Sequence, residues 1–317
     1  MTKQTCDVAI VGGGAAGLNA ALVLAQARRS VVVIDAGEPR NAPAGHLRGF
    51  LTRDGAAPTD LLALGRAEVE QFGVVVTDGA VTGAARSADG FELTLDDGRT
   101  VNARRLLVAT GIADTFPDIE GFAERWAKDV LHCPYCHGYE VRDQPLGVIA
   151  ETAFFGIHQA LMLRQWSDDV VLFTHTDENI EPADREKLAA MNVRIVSGKV
   201  AGLVVEDDEL TGVRLADGTV TPRRAVFVGG AITPVPRDRI LRDFGAETTD
   251  TPFGPFVAVD ATGATSIPGV WAAGNVVDPK SQVIVSASAG YQAAVAINMD
   301  LIEEEVGRAV EAGRILG

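Results

Sequence analysis

The stretch CDVAIVGGGAAGLNAALVLAQARRSVVVIDAG, residues 6–37, admits one local fold: a strand, a glycine turn, a helix, and a second strand closed by an acid. Gly12, Gly14 and Gly17 fill the pattern G-x-G-x-x-G. Gly12 permits the tight turn, Gly14 lets a backbone approach a pyrophosphate, and Gly17 lets helix and strand pack closely. Asp35 stands where a ribose hydroxyl is held. The context of flanking strands and an Ala-rich helix makes this a site for an adenine dinucleotide.

The unit then recurs. LGVIAETAFFGIHQALMLRQWSDDVVLFTH, residues 146–175, aligns with the first copy without a gap at an offset of 139 residues. Gly17, Ala21, Leu22, Leu24, Gln26, Val31 and Val32 meet identical residues at Gly156, Ala160, Leu161, Leu163, Gln165, Val170 and Val171. The expected fold is therefore α/β, with two Rossmann-like three-layer domains and the second inserted into the first. Boundaries are set at 1–115 and 245–317 for the outer domain and 116–244 for the insert. At 317 residues and 47% hydrophobic, the chain is long enough for two such cores.

The two copies differ at the turn. Gly12 faces Glu151, Gly14 faces Ala153, and Asp35 faces Thr174, so only the packing glycine, Gly156, survives. A carboxylate there repels a pyrophosphate and the Ala153 methyl obstructs its approach. No arginine follows in THTDEN to grip a 2′-phosphate. The second copy is expected to have lost its nucleotide, with an irregular loop that still accepts NADPH as the alternative.

Between the copies lies HCPYCHGYE, residues 132–140, holding two of the three cysteines. The third, Cys6, falls in the first strand and reads as a buried hydrophobe. No 18-residue apolar run or signal peptide is seen, so the protein is placed in the cytoplasm, where a CxxC pair is more often catalytic or metal-binding than a staple. Zinc would need further ligands, for which only His132 and His137 stand near, and no metal is assigned. Glutaredoxins also carry CPYC, but at the first helix of a much smaller domain. A net charge of −15 argues against nucleic acid and anionic membranes as partners.

Together with GGGAAG at 12–17, ATG at 109–111 and SIPGVWAAGNVVD near the C-terminus, these features resemble the low-molecular-weight thioredoxin reductase family over essentially the whole chain. That resemblance implies FAD in the outer domain, held by Gly12, Gly14, Ala15, Ala16, Asp35, Arg40, Val81, Thr110, Gly111, Gly274, Asn275, Gln282 and Val283. His46 is a further FAD candidate, from the loop RNAPAGHLRGF. Asn275 stands where the family usually has Asp; its amide oxygen can still accept a ribityl hydroxyl. The last helix is expected to begin near Gln282 and Val283, with its N-terminus toward the flavin. A homodimer is expected on the same ground.

CPYCH departs from the reductases' CATCD. With the degraded second fingerprint, it makes the chain similar to the dithiol oxidases that close disulfides in natural products such as gliotoxin and holomycin. By that resemblance Cys133 meets a small-molecule dithiol, Cys136 faces the flavin, and oxygen accepts the electrons as hydrogen peroxide. His137 is a candidate general base because imidazole titrates near neutrality. The alternatives are an NADPH-dependent thioredoxin or disulfide reductase, a ferredoxin-fed reductase, and a flavin-bound redox sensor. The loop Pro39 to Asp54 and the region Phe116 to Trp126 are expected to line the substrate pocket.

Overall fold

The computed structural model describes residues 3–316. The chain divides into two compact units: 1–42, 58–113 and 234–317 in one, and 43–57 with 114–233 in the other.

The first unit is built on a seven-stranded sheet. Its spatial order is Val75–Asp78, Val31–Asp35, Lys3–Val11, Thr100–Val108, Gly90–Leu95, Val81–Ser87, with Val270–Ala272 also pairing Thr100–Val108. The central strands run parallel and the Gly90–Leu95 and Val81–Ser87 hairpin is antiparallel. Parallel strands covered on both faces must be apolar throughout, and Val8, Ala9, Ile10 and Val11 are all buried. Val8, Ile10 and Val33 face the helices Ala15–Gln26 and Val283–Leu316, whereas Ala9, Val32 and Ile34 face the opposite core of Phe91, Leu93, Ile240 and Leu241. That alternation yields three layers.

The second unit has a five-stranded parallel sheet in the order Arg194–Val196, Val170–Phe173, Leu146–Ala150, Ala225–Gly229, Val130–Leu131. Its helix Ala153–Leu163 buries Gly156, Ile157, Ala160 and Leu163 against these strands. An antiparallel meander, Val200–Glu206, Glu209–Leu215 and Val220–Pro222, packs Leu203, Leu210 and Val213 on the other face. The strand–helix–strand order repeats that of the first unit, as the 139-residue offset predicts.

Two boundaries differ from the sequence expectation. Residues 234–244 belong to the first unit, because Ile240 and Leu241 of the helix Arg239–Asp243 enter its core rather than the insert's. The loop 43–57 belongs to the second unit, held by side-chain ion pairs described below.

The repeat also slips by one residue. Val8 pairs with Val31 in the first unit, but Val170 pairs with Leu146 and not with Gly147. The register thus sets Ala150, rather than Glu151, in the place of Gly12, and the packing glycine follows six residues later instead of five. Packing agrees: a Cβ on Gly17 would strike the Gly12 carbonyl oxygen at 1.9 Å, and one on Gly156 would strike Ala150 Cβ at 2.4 Å.

Candidate functional site

In the first unit the glycine turn is shaped for close approach. Gly12 has φ +110°, and a Cβ there would lie 2.3 Å from the Ala109 carbonyl oxygen, so only glycine fits. Gly14 is the opposite case: a Cβ there would meet nothing within 4 Å, leaving open space before the helix Ala15–Gln26. That helix has neither a capping side chain nor an acid in its first turn among the described residues, so its amides suit a pyrophosphate. Asp35 closes over the turn, where a Cβ on Gly13 would meet its Oδ2 at 2.6 Å. Arg66 grips Asp35 and holds Asp78 at 2.9 Å, fixing the carboxylate at the strand end.

The remaining flavin candidates in this unit sit on the strand ends and the last helix. Thr110 donates its hydroxyl to the Arg237 carbonyl at 2.6 Å, and Gly111 has φ +69°. Gly274, at φ +81°, brings its backbone to Ala16, to whose methyl a Cβ would come within 3.1 Å. Asn275 donates its amide nitrogen to the Asp278 and Ser281 carbonyls at 2.9 and 3.0 Å, which fixes the orientation of its oxygen. The helix Val283–Leu316 follows, with Gln282 just before it accepting from Ser286 N at 2.8 Å. Ala15 opens the fingerprint helix, Val81 opens its strand, and Arg40 lies in the loop after Asp35. These groups fit a dinucleotide with a pyrophosphate over Gly14.

In the second unit, CPYC forms one tight turn directly after the strand Val130–Leu131. Pro134–His137 is a short helix with proline at its first position, where the missing N–H costs nothing. Cys136 N and His137 N both donate to the Cys133 carbonyl, at 3.0 and 3.1 Å. Gly138 follows because a Cβ there would meet the Pro134 carbonyl at 2.6 Å and the Trp166 ring at 2.9 Å. Tyr135 crosses Trp166 edge-to-face, and Gln159 donates to the His132 carbonyl at 2.6 Å. Both CPYC cysteines are half-buried.

His137 is half-buried and ends the Pro134–His137 helix. Burial chiefly, then the nearby His46, holds its imidazole below the usual histidine value, against an opposing pull from Glu140. It is thus neutral at neutral pH and able to take a thiol proton. His46 lies here too, its ring centroid 5.7 Å from that of His137. Glu140, Arg48 and Asp54, which the sequence alone did not single out, complete this cluster. The available signal was the spacing H-x-x-E at 137–140 and the H-x-R at 46–48. Phe116 packs against Trp126, with ring centroids 5.0 Å apart, while Phe122 is fully buried.

Cys6 is separate from this chemistry: it is buried and its thiol is pushed up to about 12 by burial. No group of three or more His, Cys, Asp or Glu side chains is placed to hold a metal ion among the described residues. No helix among them is long and apolar enough to cross a membrane.

The second unit's turn, by contrast, is filled from within. The Asp177 carboxylate accepts the Ala153 N–H at 2.8 Å, on the helix terminus where a pyrophosphate would sit. Thr152 caps the same helix, its hydroxyl accepting from Phe155 N at 3.5 Å. Thr176 donates to the Glu151 carbonyl at 3.0 Å, and buried His175, at φ +49°, accepts from Val200 N at 3.1 Å.

A FAD-type turn, a CxxC beside a histidine and a second Rossmann-like unit define a flavin-linked thiol–disulfide oxidoreductase. Residues 6–295 match the pyridine nucleotide-disulphide oxidoreductase family, and the chain belongs to that family. Within it, the chain is a thioredoxin reductase-like flavoprotein whose cofactor is FAD. It is similar to the crystal structure of HlmI, with 50% identity, a TM-score of 0.91, and 98% of this chain and 97% of that one covered. "Thioredoxin reductase aclD" of Aspergillus oryzae is 30% identical, covering 96% of this chain and 99% of the relative. "Thioredoxin reductase tcpT" of Claviceps purpurea is 35% identical over 56% of this chain, a match that spans 58% of the relative's length.

Proposed function

We propose that the chain is an FAD-dependent dithiol oxidase that closes an intramolecular disulfide in a small-molecule dithiol, with oxygen as terminal acceptor. The observation that carries this reading is the Asp177 carboxylate on the Ala153 amide. With an internal anion at the helix N-terminus and Glu151 in the turn before it, the second unit is poorly suited to NADPH, so the electrons must enter elsewhere.

In this reading CPYC begins as a disulfide. His137 takes the proton of the first substrate thiol, and the thiolate attacks the Cys133 sulfur. A substrate–Cys133 bond forms while the Cys133–Cys136 bond breaks, and Cys136 leaves as a thiolate. The second substrate thiol, once deprotonated, attacks the substrate sulfur of that mixed disulfide and expels the Cys133 thiolate. The product carries a new disulfide and the enzyme a reduced pair, two electrons having moved. FAD, when bound, supplies the two-electron acceptor for that pair and passes the electrons to oxygen, giving hydrogen peroxide.

Gly12, Gly14, Asp35, Thr110, Gly111, Gly274 and Asn275 would hold the cofactor, with Gln282 and Val283 at the last helix. No nucleic acid and no membrane takes part, and the compartment is the cytoplasm. The chain is proposed to act as a homodimer, supported by an exposed apolar row on the last helix: Tyr291, Val295, Met299, Ile302, Val306 and Val310.

The competing reading, a reductase fed by NADPH, is favoured by the names of the two fungal relatives. Anaerobic mixing separates the two. Bleaching of the flavin by a dithiol alone, reversed with peroxide formation in air, supports the oxidase; rapid bleaching by micromolar NADPH sinks it.

A further inference from the structure

The loop 43–57 holds two side chains against the segment after CPYC. The His46 ring meets that of His137 edge-on, with centroids 5.7 Å apart and planes at 64°. Its Nε2 lies 3.2 Å from Glu140 Oε2, an ion-pair distance without hydrogen-bond alignment. Arg48 grips Glu140 Oε1 through Nε at 2.9 Å and through Nη2, and reaches Asp54 with Nη1 at 2.7 Å. Gly49 N donates to the other Asp54 oxygen at 2.8 Å. A continuous row therefore runs Asp54, Arg48, Glu140, His46, His137.

Ordering five long or titratable side chains costs conformational entropy, and part-exposed ion pairs return little stability. The row is better understood by what it ends on. The titratable groups that act on His137 are His46, from the loop, and Glu140, from its own segment; Cys133 and Cys136 belong to the turn whose helix it ends.

We propose that His46 is a positioning residue for His137: Glu140, gripped by Arg48, anchors the His46 imidazole, and that ring fixes the His137 imidazole at the end of the CPYC turn. This rests on His137 being the base of the proposed reaction. His46 then does two things for that base. Its ring restricts the rotamer of His137, and its positive charge, when present, opposes protonation of His137 and so keeps it ready to accept a proton.

The test uses the FAD-loaded enzyme with carbon-13-labelled histidine, following the five imidazoles by NMR across pH. His137→Asn assigns the His137 signal. In His46→Gln and in His46→Phe, which keeps a ring, the His137 midpoint is expected to rise toward the ordinary value of about 6.5. In parallel, the acid limb of anaerobic flavin bleaching by dithiothreitol should move up in pH by the same shift. A His137 midpoint unchanged in both variants overturns the proposal. Failure of dithiothreitol to bleach even the wild-type flavin would instead overturn the oxidase reading, and the NMR midpoint would still decide the role of His46.

Discussion

A Cβ placed on Gly290 would sit 2.0 Å from the carbonyl oxygen of Ala16, so the C-terminal helix and the fingerprint helix meet backbone to backbone. The contact is continued by Asn19, whose amide donates to the Ala287 carbonyl at 2.7 Å. The helix that frames the dinucleotide turn is thus clamped from its outer side. Gly290→Ala forces the two apart and is expected to cost about 1–3 kcal/mol. Gly307→Ala, on the same helix with nothing within 4 Å, should instead gain up to about 1 kcal/mol from helix propensity. Thermal unfolding of both variants checks the pair; equal effects would refute the close contact.

The second-unit turn offers a gain-of-binding experiment. Wild-type enzyme should show no NADPH binding by calorimetry at micromolar cofactor. Asp177→Ala combined with Glu151→Gly removes both negative charges and frees the Ala153 amide, and is expected to bind NADPH measurably. Binding by the wild-type enzyme would overturn the assignment.

The three cysteines should separate by reactivity. After reduction of the native enzyme, alkylation is expected to be fast at Cys133 and Cys136 and slow at Cys6, whose buried thiol is barely ionised. Cys133→Ser and Cys136→Ser should each abolish flavin bleaching by a dithiol, while Cys6→Ala leaves it intact. Peptide mapping after brief alkylation reads the first outcome directly.

Acidity should weaken the fold through its histidines. Burial keeps both His137 and His175 below the ordinary imidazole value. The unfolded chain then binds more protons than the native one wherever those groups titrate, so stability rises with pH across that range. The sign gives a loss of stability as pH falls below about 6.5, continuing until the lowered native values are passed. His137→Asn and His175→Asn should each flatten part of that slope in denaturant unfolding. The turnover of wild-type enzyme should fall over the same acid range as His137 becomes protonated.

What the sequence revealed and what it hid follow a physical division. Gly12, Gly17 and Asp35 were legible because each answers a local demand of one turn. The second unit was legible from Gly156 and the identical helix positions. The one-residue slip that sets Ala150 in the place of Gly12 was not, because an ungapped alignment is blind to strand pairing. Nor was Asp177, whose partner Ala153 is 24 residues away and reached only by a loop that folds back. His46 was read from its loop as a flavin candidate. Its contacts with His137 and Glu140 depend on side chains about 90 residues downstream, which no local pattern reports. The outer boundary of the insert was misplaced for the same reason: Ile240 and Leu241 look alike in either core.

A Rossmann-like unit normally reports how much nucleotide surrounds it, since occupancy follows ligand concentration. Here the anion at the helix terminus is Asp177, tethered by the chain itself, and its supply never varies. On the proposed reading, the unit would be deaf to the cell's reduced-cofactor level. Under the proposed oxidase function, such a catalyst would take its pace from thiol and oxidant alone, and would keep running when reducing power is scarce.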